Sequence, residues 1–551
     1  MTAAPVRIAR RIRGIIRPNV RVHAPADDIV TDHDVAVAVR DGTVLRANIH
    51  RPEGDVPVPV IMCAHPYGKD NLPTRRRRGG YSPPFQLRVF RQPETVRISA
   101  LTGWEAPDPE FWVAQGFAIV NLDLRGFGTS EGTGELFSDQ QGEDEYDVIE
   151  WVASQPWCTG RVGLLGVSYL AISQFRAAAT RPPHLAAICP WEGLTDCYRD
   201  FACPGGVREN GFLVLWSHLT NKGGRVDQDI LTEQRARPLI DDWWRSRDPR
   251  LERIEVPMLV CGSFSDHLLH TRGSFEAFRR VGSKHKWLWT HRGGKWATFY
   301  SDEAKAVQLR FFDHFLRDAG NGWDDEPRVR IAVHEEGPHP AAIRHADDWP
   351  PPDVTWTDLH LHPDGTLAGS PPASGGSCAW ANVSGDVRFA WCAPRAMDLI
   401  GPMTVRLDVS VEGAADATLL AAVRLRRDGR EVPLEGSYGF DRDVVTHGWL
   451  RVSHRALDAE RSLDWLPVQA HTAAQPVAAG EVVGVVIPLL PQATRLRAGD
   501  QLVLELRSRW LFRLNPLTGQ MPARYTADAA GTTRVHLGDG RVGTLRIPIA
   551  P

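Results

Sequence analysis

Apolar and polar positions alternate with a period of two at the start of the chain. Val35, Val37 and Val39 interleave with Ala36 and Ala38, and Val44, Leu45, Ala47 and Ile49 follow Asp41-Gly42. That pattern predicts two strands joined by a tight turn, a hairpin. Val58 to Ala64 is a continuous apolar run with Pro57 and Pro59 at its start, so it reads as a buried strand. The period then lengthens. Phe111 to Ala114 makes a helical turn, Phe117 to Leu122 a strand, and Tyr146, Ile149, Val152 and Ala153 an apolar helical stripe within Glu143–Ser154. Val162–Leu165 is a short buried strand, Tyr169–Ala179 an Ala-rich helix, and Leu185–Cys189 another strand. Met258–Cys261 and Trp287–Thr290 add two more strands, and Val307, Phe311 and Phe315 share one face of a helix starting near Asp302. Strands alternating with helices predict a doubly wound, mostly parallel sheet covered on both faces.

Three stretches depart from this alternation. Residues 71–106 show no convincing period and carry Arg75–Arg78, several prolines and a Gly-Gly pair, as expected of a long functional loop or lid. Residues 196–250 hold Trp216, Trp243 and Trp244 among mixed charges and read as a helical cap over the sheet. Beyond about residue 325 the helical period fades. β-Branched runs recur between Gly, Pro and Asp turns at Val329–Val333, Thr404–Val411, Gly448–His454, Val482–Leu489, Gln501–Leu506 and Thr544–Ile549. Many short strands of this kind predict an all-β sandwich of jelly-roll type. The expected organisation is an N-terminal arm over 1–30, a sheet domain over 31–195 and 251–322, a cap over 196–250, and the sandwich over 323–551.

Composition narrows the function. A chain of 551 residues is too long for one core. Its net charge of −3 argues against general nucleic-acid binding. Cysteines 63, 158, 189, 197, 203, 261, 378 and 392 are scattered, mostly in apolar runs, which fits reduced thiols in a cytoplasmic protein. No Cys-x-x-Cys or His-Glu-x-x-His pattern signals a metal, no apolar run is long enough to span a membrane, and the basic N-terminus lacks the apolar core of a secretory signal. The arginines at 7, 10, 11, 13 and 17 read as a solvated terminus, and Arg75–Arg78 as a solvated face.

The chemistry centres on Gly166-Val167-Ser168, between the strand Val162–Leu165 and the helix from Tyr169. A serine there has the setting of a nucleophile elbow, with small neighbours and a helix N-terminus beside it. The glycine usual two residues after the serine is Leu170. Such a serine needs a base, and the base needs an acid to orient it. In α/β-hydrolases these follow in the order Ser, Asp/Glu, His. Asp266, after the Met258 strand, and His291, after the Trp287 strand, fit that order. His267 and His270 lie close to Asp266 in sequence and His285 precedes its strand, so all three read as surface or packing histidines. Tyr67, after the first core strand, can donate a hydrogen bond to an oxyanion together with the backbone N–H of Tyr169. Gly126, Gly128 and Gly132 miss dinucleotide spacing, and Asp123 before them suits a structural ion pair.

The chain resembles the CocE/NonD hydrolases, cocaine-esterase-like acyl esterases related to X-Pro dipeptidyl-peptidases. The resemblance rests on Arg40-Asp-Gly-Thr-Val-Leu, His65-Pro-Tyr67-Gly-Lys69, Asp123-Leu-Arg-Gly-Phe-Gly-Thr-Ser-Glu-Gly132, Glu150-Trp-Val-Ala-Ser-Gln-Pro-Trp157 and Gly163-Leu-Leu-Gly-Val-Ser168-Tyr169-Leu. It implies an α/β-hydrolase domain, a helical cap and a C-terminal jelly roll. It also implies a nucleophile at Ser168, oxyanion donors at Tyr67 and Tyr169, an acid at Asp266 and a base at His291. Two motifs depart from the family pattern. Gly262-Ser-Phe-Ser-Asp266 stands where Gly-Gly-Trp-x-Asp is usual, and Ala171 stands where Gly is frequent. The expected protein is a serine hydrolase that cleaves a small-molecule ester, or an amide, through an acyl-enzyme and without a cofactor; homo-oligomerisation is left open. An X-Pro dipeptidyl-peptidase or α-amino-acid ester hydrolase is the alternative and would need an anionic pocket, for which Glu192, Asp196 and Glu209 are candidates. A non-catalytic protein binding a ligand through the jelly roll is the alternative from another class.

Overall fold

A computed structural model describes residues 13, 17–90, 92–267, 269–438, 443–512, 523–526 and 528–551. Most of the basic arm, residues 1–12 and 14–16, lies outside the described residues. The central sheet has ten strands: β1 (Ile29–Ala38), β2 (Val44–Pro52), β3 (Val58–His65), β4 (Ala118–Asp123), β5 (Cys158–Val167), β6 (Leu185–Trp191), β7 (Met258–Ser263), β8 (Lys286–His291), β9 (Val329–Val333) and β10 (Ala342–Ala346). Their order across the sheet is β10-β9-β8-β7-β6-β5-β3-β4-β2-β1. Strands β3 to β9 pair in parallel, while β1, β2 and β10 pair antiparallel with their neighbours. The expected hairpin is β1 and β2, and its turn contains Gly42 at φ 84°.

Parallel strands buried on both faces read as unbroken apolar runs, which is why β3 and β4 lack alternation. Helices α1 (Asp139–Ala153), α2 (Tyr169–Thr180), α4 (Thr271–Arg280), α5 (Lys295–Phe299) and α6 (Asp302–Arg317) belong to this domain, and α3 (Phe212–Gly223) belongs to the cap. Ser138 and Ser301 cap α1 and α6 with their hydroxyls. Helix α6 lies so close to β5 that a Cβ on Gly163 would sit 2.6 Å from the Phe312 ring. One buried cluster, with Val162, Leu164, Ile188, Val260 and Phe312 in it, forms this core.

One strand expected in the sandwich joins the central sheet. Val329–Val333 pairs with β8, not with the sandwich, because its fully apolar inner positions suit a strand covered on both faces. The sandwich starts with Thr355–Leu361 and packs a nine-stranded against a five-stranded sheet around Leu407, Val409, Leu504 and Leu545. Residues 71–106 are more structured than their sequence suggests. They contain a short hairpin (Thr74–Arg75 with Tyr81–Ser82), a helical turn (Phe85–Val89) and the strand Val96–Ser99, which pairs with Val20–His23. Residues 20–23 of the expected arm are thereby tied to the body. Arg75–Arg78 are exposed, as expected of a solvated face.

Candidate active site

Parallel strands align their carboxyl ends on one edge of the sheet, and ligands of such sheets bind there. Tyr67 follows β3, Ser168 follows β5, Glu192 follows β6, Asp266 follows β7, and His291 ends β8. The motif after β4 makes a scaffold. The buried Asp123 carboxylate accepts from the backbone N–H groups of Lys69 (2.6 Å) and Thr129 (3.1 Å). A Cβ on Gly128 would collide with that carboxylate at 1.9 Å, so the glycine run serves close packing. Lys69 Nζ lies 3.5 Å from Asp123 Oδ2, the structural ion pair expected of Asp123.

Ser168 stands at φ 60° and ψ −117°, a conformation that costs a non-glycine residue strain and persists where surrounding structure imposes it. Two backbone bonds hold it: Ser168 N–H to Trp191 O (3.1 Å) and Val167 N–H to Glu105 O (3.1 Å). A Cβ on Gly166 would stand 2.5 Å from Leu170 Cβ. The close approach therefore needs a glycine before the serine and accepts a leucine after it. Ala171 is accommodated because it faces Gly193, where a Cβ would sit 3.3 Å from the Ala171 methyl.

The histidine beside Ser168 is not the one that chain order points to. His270 Nε2 lies 3.4 Å from Ser168 Oγ, and His270 Nδ1 hydrogen-bonds Asp266 Oδ2. His291 does not meet Ser168; its Nε2 donates instead to Glu192 Oε1 at 3.0 Å. The reason is positional. His291 is still inside β8, which is separated from β5 by β7 and β6, and strands are spaced by about 4.8 Å. It meets the carboxylate on the loop after the intervening β6. His270 was set aside for lying close to Asp266 in sequence, yet that closeness brings the two together. The chain coils after Asp266, with His270 N–H bonding Asp266 O at 3.2 Å, so residues i and i+4 share one side of a turn. The spacing Asp-x-x-x-His ahead of α4 is the signal that could have identified the pair.

Tyr67 follows β3, on the sheet edge that carries Ser168. Trp216 Nε1–H of the cap donates to Tyr67 Oη at 3.1 Å, which leaves the phenol's own proton free to donate elsewhere. Burial pushes the Tyr67 pKa well above that of a free phenol, so it stays protonated. Tyr169 opens α2, where a backbone N–H has no intrahelical acceptor. Its side chain turns away to Gln141 Oε1 (2.7 Å) and packs against Phe137 and Trp216.

Four further residues had no signal pointing to this role. Lys295, the first residue of α5 and 1% exposed, places Nζ 2.5 Å from Asp266 Oδ2, 2.9 Å from His270 Nδ1 and 3.9 Å from Glu192 Oε2. Tyr438, from the β-sandwich region, donates to Asp266 Oδ1 at 2.9 Å. Glu192 was named only as a possible anionic subsite. Glu105, at φ 64°, accepts from Trp296 Nε1 at 3.3 Å, and its Oε2 has no hydrogen-bond partner among the described residues. Burial raises the Glu105 carboxyl to about 8 despite Lys295 nearby. Burial also opposes the Asp266 charge, but Lys295 and His270 outweigh it and hold that carboxyl below the usual range. His270 is lowered, by burial first and by Lys295 second, against the pull of Asp266.

Of the three carboxylates considered for an ammonium subsite, Asp196 and Glu209 are engaged, whereas Glu192 Oε2 has no hydrogen-bond partner among the described residues. Glu192 meets His291 and Lys295. Asp196 pairs with Arg199 at 2.8 Å and lies 3.7 Å from both Arg272 and Arg461. Glu209 accepts from the N–H groups of Gly211, Phe212, Leu213 and Arg524. Among the described residues no cluster suited to a metal ion occurs and no helix is long and apolar enough to cross a membrane.

Comparison with known proteins adds independent observations. Residues 41–229 match the X-Pro dipeptidyl-peptidase (S15 family) model, and residues 321–542 match the X-Pro dipeptidyl-peptidase C-terminal non-catalytic domain. The first match takes in Tyr67 and Ser168 and stops short of Asp266, His270 and His291. Cocaine esterase from Rhodococcus sp. is 26% identical over 409 residues, 64% of this chain and 65% of that protein. A crystal structure of a CocE/NonD family hydrolase from Staphylococcus aureus is 33% identical, covers 95% of this chain and 94% of its own, and superposes with a TM-score of 0.89. An α-amino acid ester hydrolase shares the fold, with a TM-score of 0.71 at 17% identity, covering 96% of this chain and 98% of its own.

Proposed function

The chain belongs to the CocE/NonD family of hydrolases, and on that premise we propose that it is a serine hydrolase cleaving carboxylic esters through an acyl-enzyme, with His270 as its base. The observation that carries this reading is the strained Ser168, with Oγ 3.4 Å from His270 Nε2 and His270 Nδ1 on Asp266. Ser168 Oγ gives its proton to His270 Nε2 and attacks the ester carbonyl. The Tyr67 hydroxyl and the Tyr169 N–H receive the oxyanion. The imidazolium, held by Asp266, returns its proton to the leaving alkoxide, and the acyl group stays on Ser168. A water then gives a proton to the same nitrogen and attacks the acyl carbonyl, and the imidazolium returns that proton to Ser168 Oγ as the acid leaves.

Ester over peptide substrates is favoured by the engagement of Asp196 with Arg199 and of Glu209 with backbone N–H groups, which leaves neither open to a substrate ammonium. Eight unpaired cysteines, six of them buried, support a reducing compartment. The test is hydrolysis of aryl esters, N-acetylated and free α-amino esters, and an X-Pro anilide by wild type and Ser168→Ala. A fluorophosphonate would mark the nucleophile. Turnover of simple and N-acetylated esters with an adduct on Ser168 is expected. Preference for the free amine would move the protein to the amino-ester or dipeptidyl side. Absence of any adduct would favour a non-catalytic binding protein.

A further inference from the structure

Lys295 is the buried charge that the reaction above does not use. A buried ammonium costs several kcal/mol unless it is paired and hydrogen-bonded. Here it is surrounded: Asp266 Oδ2 at 2.5 Å, His270 Nδ1 at 2.9 Å and Tyr438 Oη at 3.3 Å, with the Tyr438 ring 5.0 Å away. Its backbone is fixed as tightly. Lys295 N–H bonds Ser437 O at 3.0 Å, and a Cβ on the preceding Gly294 would clash with Pro93 at 2.5 Å and Gln92 at 2.6 Å. Its three nearest polar contacts are His270 itself, the Asp266 carboxylate that orients it, and Tyr438, which donates to that carboxylate.

We propose that Lys295 is a positioning residue of this hydrolase: it locks the Asp266 carboxylate in place, fixes the tautomer of His270, and keeps the resting imidazole uncharged. The proposal rests on the assignment of His270 as base. The geometry supplies the three parts in turn. Asp266 Oδ1 accepts from Tyr438, and Oδ2 is shared by His270 and Lys295, so the carboxylate is held by donors at both oxygens. Lys295 helps keep the Asp266 carboxylate ionised, and an ionised carboxylate only accepts, so the His270 Nδ1 in contact with it carries the proton and Nε2 is left bare toward Ser168 as a base requires. An imidazolium at His270 would stand 2.9 Å from a second cation. That makes His270 a weaker base than one facing an unshared carboxylate, and a stronger acid toward the leaving group.

The charged and titratable groups around His270 come from separate elements. Asp266 lies on its own loop, Lys295 on α5, Glu192 after β6, Tyr438 from the sandwich side, and Glu105, near Lys295 and Asp266, in the 71–106 segment. Among the described residues, Lys295 is the one cation within hydrogen-bonding distance of His270. Removing it leaves carboxylates that favour the imidazolium. A like charge within a few ångströms shifts a titration by about 1–3 units.

The experiment is the pH dependence of kcat/KM for an aryl ester in wild type, Lys295→Met, Lys295→Gln and Lys295→Arg. Thermal unfolding of each variant and the activity of His270→Ala accompany it. Lys295→Met and Lys295→Gln are expected to move the acid limb upward by at least one pH unit, and Lys295→Arg to keep it near that of wild type. An unmoved limb, with activity lowered equally at every pH, would reduce Lys295 to a structural ion pair and overturn the proposal. Failure of both neutral variants to fold would do the same. Activity retained in His270→Ala would overturn the base assignment itself. The two failures are thus told apart by different variants.

Discussion

The two histidines give the most decisive perturbation. His270→Ala removes the only imidazole placed within reach of Ser168 among the described residues, its Nε2 being 3.4 Å from Oγ. Both acylation and deacylation then lose their base, and removal of a triad member of this kind costs about 10⁶ in kcat, roughly 8 kcal/mol. His291→Ala removes something different. It breaks the 3.0 Å hydrogen bond to Glu192 Oε1 and ring contacts with Trp191 and Trp289 at centroid distances of 6.5 and 5.9 Å. A hydrogen bond to a charged group is worth about 1.5–3 kcal/mol and an aromatic pair about 0.5–1.5 kcal/mol. The second variant should therefore lose about 2–4 kcal/mol of stability while kcat stays within about tenfold of wild type. Initial rates on an aryl ester, fluorophosphonate labelling and thermal unfolding measured side by side read both effects. If folded His291→Ala loses about as much kcat as Ser168→Ala while His270→Ala stays within tenfold of wild type, the order read from the chain was right and the observed pairing plays no part in the reaction.

Ser168→Ala should lower kcat by about 10⁶ and Tyr67→Phe by about 10²–10³, and equal losses in the two would remove Tyr67 from the oxyanion site. Gly166→Ala forces a methyl to within 2.5 Å of Leu170 Cβ and should cost about 1–3 kcal/mol in chemical denaturation; an unchanged midpoint would show that the elbow relaxes freely. Glu105, raised from 4.5 to about 8 by burial, keeps in the folded state a proton that the unfolded chain releases. Its contribution is thus complete below pH 4.5 and is lost as pH rises toward about 8, with a slope near 1.4 kcal/mol per pH unit. Glu105→Gln should flatten the fall in melting temperature between pH 5 and pH 8, and an equally steep fall in the variant would refute the buried-carboxyl account.

What was determined by the sequence alone follows from local rules. Unbroken apolar runs, a change of period near residue 325 and the caps of α1 and α6 are set by neighbours along the chain, so the sheet, the cap and the sandwich could be read from it. The elbow at Ser168 belongs to the same class, since a strand, a glycine and a helix start adjoin in eleven residues or fewer. Val329–Val333 reads as a sandwich strand because a five-residue apolar strand looks alike in a sandwich and at a sheet edge; only pairing with β8 distinguishes them. Which histidine stands beside Ser168 was decided by tertiary structure. Chain order placed His291 on the right edge of the sheet, but a side chain reaches only its near neighbours, and the neighbour of β8's end is Glu192. Which histidine faces Ser168 depended on one turn of chain after Asp266. The charge beside it depended on a lysine and a tyrosine that reach the site from elements 29 and 172 residues beyond Asp266, a meeting that only packing brings about.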